Sequence, residues 1–157
     1  TAGQMARGIG LAMASKKYRE RPDLTGKGLS DEGREVVFCC IGDASTSEGA
    51  FWETLNAAGV QQLPFVVTVV DDGYGISVPR SYQTTKDSIS KALAGLQAKP
   101  GTNGIDIYHA RGWDYPALCE AYQQSAAQAR SQHRPALVHV EEITQPQGHS
   151  TSGSHER

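Results

Sequence analysis

Two short runs of β-branched and aromatic residues constrain the fold of this chain more than any other feature. They are Val36-Val37-Phe38-Cys39-Cys40-Ile41 and Phe65-Val66-Val67-Thr68-Val69-Val70. Each is followed at once by glycine and aspartate: Gly42-Asp43-Ala44 after the first, Asp71-Asp72-Gly73-Tyr74-Gly75 after the second. Runs of this kind read as buried strands, and the intervening segment, Glu48 to Gln62, reads as a helix. A strand–helix–strand unit has a right-handed crossover and parallel strands. Both acidic clusters therefore emerge at one carboxyl edge of a sheet, where open α/β folds bind ligands. Carboxylates gathered there beside glycines point to a divalent cation and the phosphates it carries.

The rest of the chain repeats the alternation. Gly3 to Tyr18 is rich in glycine and alanine, with Met5, Ile9, Ala12 and Met13 at helical spacing, and its small residues suit close packing on a neighbour. Lys16 to Arg34 is polar and reads as an excursion loop, holding Pro22, Gly26, Gly28 and Gly33. Ser45-Thr46-Ser47-Glu48 has the form of a capping box and places the second helix start at Ser45 or Ser47. Lys86 to Leu96 carries Ile89, Leu93 and Leu96 at helical spacing, Ile105 to Ala110 reads as a third strand, and Asp114 to Arg130 reads as a helix with Pro116 in its first turn. Pro135 to Val140 is a fourth apolar strand. This order predicts a doubly wound, parallel α/β sheet in a single domain over residues 1–157. The opening residues look like the inside of a helix and the closing ones like a loop cut short, so a fragment of a longer polypeptide is expected.

A Mg²⁺ ion takes oxygen ligands in near-octahedral geometry and shares them with substrate phosphates. Asp43 and Asp72, at the ends of neighbouring strands, can supply two such ligands, and a backbone carbonyl of the Gly73–Gly75 turn a third. The competing reading is that each aspartate is an ordinary turn residue, since Asp favours turns; their pairing at adjacent strand ends weakens it. Glu48 is read as a capping residue and Glu53 as a solvent-facing helical one. His109, His133 and His139 read as structural, His133 at a helix end where a cation is favoured. His149 and His155 lie in a Ser/Thr/Gly-rich terminal loop, where a histidine can meet a diphosphate or move a proton.

Composition excludes several classes. With 15 basic and 17 acidic residues the net charge is -2, which suits neither a nucleic-acid groove nor a membrane-surface patch. No apolar stretch approaches the roughly 20 residues of a membrane helix. The 3 cysteines, Cys39, Cys40 and Cys119, show no CxxC spacing and read as reduced, buried thiols of a cytoplasmic protein.

Gly42-Asp43-Ala44-Ser45-Thr46-Ser47-Glu48-Gly49, followed by Asp71-Asp72-Gly73-Tyr74-Gly75-Ile76-Ser77, resembles the thiamine-diphosphate motif that begins GDG and ends NN. The tail Gly148-His149-Ser150-Thr151-Ser152 resembles a signature loop of the α subunit of E1 components of 2-oxo acid dehydrogenase complexes, in wording closer to the branched-chain than the pyruvate enzymes. The resemblance runs through the whole chain and implies a diphosphate-binding (PP-type) domain. It implies that Asp43, Asp72 and the Tyr74 carbonyl hold Mg²⁺, that Gly42, Asp43, Ala44 and Ser45 meet the diphosphate with Ile76 in the same site, and that His149 reaches the cofactor and the active-site entrance. Ser150 falls where the mammalian branch has a phosphorylation site.

The implied activity is oxidative decarboxylation of a 2-oxo acid with acyl transfer to a lipoyl-bearing E2. The aminopyrimidine end of the cofactor and its activating glutamate then belong to a β subunit or a fused β-like half, so these residues alone are expected to be inactive and the assembly a dimer or heterotetramer. Three departures from the motif stand out: Ala44 replaces its third glycine, Asp71-Asp72 its asparagine pair, and Val70 a basic residue that often precedes that pair. The alternatives are another thiamine-diphosphate enzyme of transketolase-like type, which the terminal loop argues against, and an assembly module without cofactor.

Overall fold

In the computed structural model, residues 1–24 and 28–143 are described. The elements follow in the order α1 (Gly3–Glu20), β1 (Val37–Gly42), α2 (Gly49–Gln61), β2 (Phe65–Val70), a hairpin of β3 (Tyr74–Gly75) and β4 (Val78–Pro79), α3 (Ile89–Ala92), β5 (Asp106–Arg111), α4 (Tyr115–Gln132) and β6 (Ala136–Glu141). The four long strands form one sheet in the order β1-β2-β6-β5, and every neighbouring pair is parallel. The expected doubly wound α/β architecture is therefore present.

Both faces of the sheet carry apolar layers. On one, Met5 and Ala12 of α1 and Phe51, Leu55 and Ala58 of α2 pack with Val67, Val69 and Leu137. On the other, Ala121 and Ala129 of α4 pack with Val66, Val138 and Val140. The central strands β2 and β6 are buried almost end to end, which is why their sequences run apolar rather than alternating.

The small residues of α1 set how deeply it sits. A Cβ on Gly8 would stand 2.5 Å from Cys39 Sγ and 2.7 Å from the Phe65 ring, so only glycine lets the helix approach β1 and β2 this closely. Met13, grouped with the packing face by its spacing, is exposed. The helix also runs two residues beyond Tyr18, because Lys16 and Lys17 pair with Glu20 across the last turn.

Three local expectations are corrected. The Ser45–Glu48 capping box does not form. The chain leaves Asp43 through a 3₁₀ turn, Ala44–Ser47, so Glu48 becomes the residue preceding α2 and its carboxylate instead accepts from Thr1 Oγ1 at 2.5 Å. The helix expected over Lys86–Leu96 shrinks to the single turn α3 and a 3₁₀ turn, because Lys86 and Asp87 adopt positive φ of 63° and 49°. Its apolar spacing still serves burial, since Ile89 and Leu93 are both 1% exposed. Cys40, finally, is exposed while Cys39 is buried and Cys119 intermediate. β1 is an edge strand beyond the reach of α4, which leaves Phe38 and Cys40 on an open face. No helix among the described residues is long and apolar enough to cross a membrane.

If Gly8 sets the seat of α1, Gly8→Leu, which introduces a good helix former, should lower stability by about 1–3 kcal/mol through overpacking. Gly10, with nothing within 4 Å of its absent Cβ, supplies the contrast. Gly10→Ala should be neutral or stabilising by up to about 1 kcal/mol. Thermal unfolding of the two variants checks the pair, and equal effects would show that α1 is not seated on Cys39 and Phe65.

Candidate functional site

Parallel pairing carries the ladder one step past each strand and so fixes the site backbone. The Asp43 N–H donates to the Val70 carbonyl at 3.1 Å, and the Asp71 N–H to the Val140 carbonyl at 2.9 Å. Asp43 and Asp71 thus stand at the carboxyl ends of adjacent strands, as their sequence positions imply.

Beyond this edge lies an open cleft of about 780 Å³. Its walls include Gly42, Asp43, Ala44 and Ser45 from the first loop and Asp72, Tyr74, Gly75 and Ile76 from the second, with Val70 at the base. Seven of the eight residues proposed from sequence for the site come together here. The eighth, His149, lies outside the described residues, as do the 148–152 tail motif and His155.

Asp43 is 4% exposed, and its Oδ2 is buried with no hydrogen-bond partner among the described residues. An unsatisfied buried carboxylate oxygen is costly unless something pairs with it. Burial, reinforced by the negative charges of Asp71 and Asp72, outweighs the Ala44 N–H and the distant Arg80 and raises the Asp43 carboxyl to about 7. The backbone carbonyl of Asp43 accepts from the Thr46 N–H at 3.0 Å and from Thr46 Oγ1, which holds the turn shut. A divalent cation at Oδ2 would satisfy the orphaned oxygen and offset the desolvation. The residues present fit such an ion.

Asp72 also lines the cleft, and its Oδ1 accepts from the Tyr74 N–H at 3.1 Å, a local Asx turn that aims the loop. Ile76 begins the two-residue turn between β3 and β4 at φ 58°, a left-handed conformation that glycine or asparagine normally takes. A β-branched residue held there is strained, and Ile76 is 54% exposed at the cleft wall. Gly75 explains how Ala44 is tolerated. A Cβ on Gly75 would stand 2.7 Å from the Ala44 methyl, so glycine in the second loop makes room for alanine in the first. No lysine or arginine lines the cleft among the described residues, so Val70 leaves the position before the aspartate pair uncharged.

Asp71 behaves differently from its neighbour. Its side chain is fully buried, and its Oδ2 accepts from Arg80 Nη1 at 2.6 Å and pairs with His139 Nε2 at 2.8 Å, while Oδ1 accepts from the Gly73 N–H at 2.9 Å. Burial alone would raise this carboxyl, but the hydrogen bonds and charges of His139 and Arg80 hold it below the usual carboxylate value. The other ring nitrogen of His139, Nδ1, meets Ser90 Oγ at 2.9 Å. His109, His139 and Glu141 bring potential ligand atoms within 4.8 Å of one another, but both His139 nitrogens are already engaged.

Sequence reasoning read His139 as structural without its connection to the site, and it missed Arg80 altogether. A histidine inside the apolar run Ala136–Glu141 was the available signal for the first. For the second there was none, since Arg80 follows Pro79 in a polar loop. His133 is structural as expected, but burial pushes its ring below the ordinary histidine value despite the Gly33 carbonyl at its Nε2. A neutral ring therefore closes α4, where a cation was expected.

A family model described as the dehydrogenase E1 component matches residues 1–155. The α subunit of 3-methyl-2-oxobutanoate dehydrogenase of Mycobacterium tuberculosis is 32% identical over 135 residues, covering 86% of this chain and 31% of that protein. The α subunit of acetoin:2,6-dichlorophenolindophenol oxidoreductase of Bacillus subtilis is 32% identical over 105 residues, covering 67% of this chain and 29% of that protein. The pyruvate dehydrogenase E1 component α subunit of Staphylococcus aureus is 31% identical over 111 residues, covering 70% and 28%. The chain thus spans under a third of the length of these relatives. Among solved structures, transketolase from Campylobacter jejuni shares the fold at TM-score 0.64 and 20% identity, over 87% of this chain and 19% of its own.

The raised Asp43 carboxyl has consequences of definite sign. Its proton is held more tightly in the folded state, so stability of the cation-free protein falls as pH rises from the ordinary carboxylate range through about 7. Asp43→Asn should therefore raise the unfolding midpoint of the cation-free protein at pH 8, by about 2–4 °C for each kcal/mol recovered. A divalent cation bound at Oδ2 would have to displace this proton, so Mg²⁺ affinity of the wild type, if Asp43 is a ligand, should climb with pH below about 7 and level off above it. Thermal melts and Mg²⁺ titrations across pH 5.5–8.5 check both; an affinity flat in pH would show that Asp43 is not a ligand.

Proposed function

This chain belongs to the dehydrogenase E1 component family, and from that membership we propose that it holds the diphosphate and Mg²⁺ of thiamine diphosphate in an E1 α subunit. The observation that carries the reading is the buried Oδ2 of Asp43, without a partner among the described residues, at a cleft it shares with Asp72 and Tyr74. Asp43, Asp72 and the Tyr74 carbonyl hold the metal, the Gly42–Ser45 turn lies along the diphosphate, and Ile76 lines the same site. His149 contacts the phosphate end of the cofactor.

With no cationic side chain in the described cleft wall, this part of the chain meets the diphosphate through the metal and backbone N–H groups. Affinity for the cofactor therefore depends steeply on Mg²⁺. When bound, thiamine diphosphate supplies the carbanion and electron sink for decarboxylation. Asp43 contributes a carboxyl group whose proton an arriving cation displaces below about pH 7, and the strained Ile76 holds an apolar side chain at the wall of the cleft.

Residues 1–157 form the metal and diphosphate domain of a longer protein. The remaining parts of the reaction are an E1 β subunit or fused β-like half, a 2-oxo acid, and a lipoyl-bearing E2, in a dimeric or heterotetrameric assembly. The branched-chain 2-oxo acids are favoured over pyruvate. The wording of the 148–152 loop supports this, as does the 135-residue match to a relative named for 3-methyl-2-oxobutanoate.

The test is calorimetric titration of thiamine diphosphate, with and without Mg²⁺, into the full-length protein with its β partner. Binding should require Mg²⁺ and vanish in Asp43→Ala. Turnover of 3-methyl-2-oxobutanoate should exceed that of pyruvate and of acetoin. Cofactor binding that ignores both the metal and Asp43→Ala would refute the site assignment, and preferential turnover of acetoin or pyruvate would refute the substrate assignment.

A further inference from the structure

We propose that Arg80 is a positioning residue for the cation site, acting through Asp71 to hold the second loop so that Asp72 faces the cleft. The inference rests on the metal site proposed above.

Adjacent aspartates at the end of β2 are placed in opposite environments. Asp72 lines the cleft, whereas Asp71 is fully buried beneath the loop and takes no part in the cleft wall. Two carboxylates side by side in one wall would repel each other and any anionic ligand. The fold separates them by giving Asp71 its own cation.

Arg80 does this from an unusually well-anchored position. Its Nη1 donates to Asp71 Oδ2 at 2.6 Å and its Nε to Asp87 Oδ1 at 3.2 Å. Its backbone N–H donates to the Gly73 carbonyl at 2.8 Å, and its own carbonyl accepts from the N–H groups of Gln83 and Thr84. Backbone and side chain together close the segment Asp71–Arg80, which contains Asp72, Tyr74 and Ile76. Arg80 is not among the residues of the cleft wall, so it reaches the site through Asp71 and the loop. His139 completes the arrangement from β6, fixed on its far side by Ser90. This is how second-layer partners of metal ligands work: they orient the ligand without touching the ion.

The loop also shows why Asp, rather than Asn, stands at position 71. The Oδ2 atom receives two donors, Arg80 Nη1 and His139 Nε2, and the side-chain amide of an asparagine would present a donor to one of them. Once Arg80 is gone the preference reverses. In Asp71→Asn the amide oxygen can accept from the Gly73 N–H while the NH₂ donates to His139 Nε2, provided the ring takes the tautomer that donates from Nδ1 to Ser90 Oγ. Every group is then satisfied without a charge.

The experiment measures Mn²⁺ affinity, by electron paramagnetic resonance, in the full-length protein with its partner subunit, first without and then with thiamine diphosphate. Arg80→Met should weaken Mn²⁺ binding roughly 10- to 100-fold, the range seen when a ligand's supporting partner is removed. Asp71→Asn/Arg80→Met should recover most of that loss, since no buried charge is left unpaired. A merely structural Arg80 would lower the unfolding midpoint in both variants and leave the affinity unmoved.

Where Arg80→Met does not fold, Arg80→Lys takes its place: it keeps the charge but loses the planar guanidinium that donates from Nη1 to Asp71 and from Nε to Asp87. An affinity drop of about tenfold then supports the proposal. Wild-type affinity in either single variant, or a double variant no tighter than Arg80→Met, overturns it. Mn²⁺ binding without any thiamine diphosphate binding in the wild type would sink the cofactor reading alone, the Arg80 comparison being decided on the cation. A wild type that binds neither overturns both.

Discussion

The site exists because three parallel strands end in step. β1, β2 and β6 are paired without slippage, Val69 lying opposite both Ile41 and His139. The ladder then continues into the loops through Asp43 N–H to Val70 O and Asp71 N–H to Val140 O. A one-residue slip would turn each of these side chains to the opposite face of the sheet. The register is held in turn by burial: β2 and β6 are enclosed between α1 and α2 on one side and α4 on the other, so any slip would drive their apolar layers out of both cores. Packing deep in the sheet is thus what fixes carboxylates at its edge.

Legibility from sequence followed the length scale of the interaction. The α/β alternation and the sheet edge could be read because apolar runs and helical spacing report burial, and burial decides where elements lie. α3 shows the limit. Ile89, Leu93 and Leu96 are picked out by helical spacing, and Ile89 and Leu93 are buried, but their burial is satisfied by one turn of helix once Lys86 and Asp87 adopt left-handed backbone. The Ser45–Glu48 motif failed for a related reason. A capping box is local and competes with whatever the preceding turn requires; here the closure of the Asp43 turn by Thr46 displaces the helix start to Gly49.

Within the site, the residues that line the cleft were legible and those that support them were not. Asp43 and Asp72 belong to contiguous, glycine-punctuated loops, where composition and spacing carry the signal, and Tyr74 is singled out by the motif resemblance. The partners of Asp71 come from positions 80 and 139, and only the folded topology brings a residue after Pro79 and one in the middle of the final strand to the same carboxylate. The Ala44 departure was similar. The effect of its methyl is decided by Gly75, thirty-one positions on, a relation no local pattern contains.

The two buried aspartates give the strongest reason to regard this edge as a working site rather than a pair of turns. Both are almost wholly removed from solvent, at 4% and 1% exposure, yet the fold treats them oppositely. Asp71 is given an arginine, a histidine and a backbone N–H, and its carboxyl is held low. Asp43 has no partner for Oδ2 among the described residues, and its carboxyl rises to about 7. A fold that needed only stability would have no use for the second arrangement, since an apolar or amide side chain at position 43 avoids the cost of an unpartnered buried carboxyl. Strain and unsatisfied groups of this kind concentrate where a ligand completes the structure. Loop-closing hydrogen bonds at Asp71 and an open valence at Asp43, on adjacent strands, are what a cation site needs: one carboxylate to hold the frame and another left free to bind.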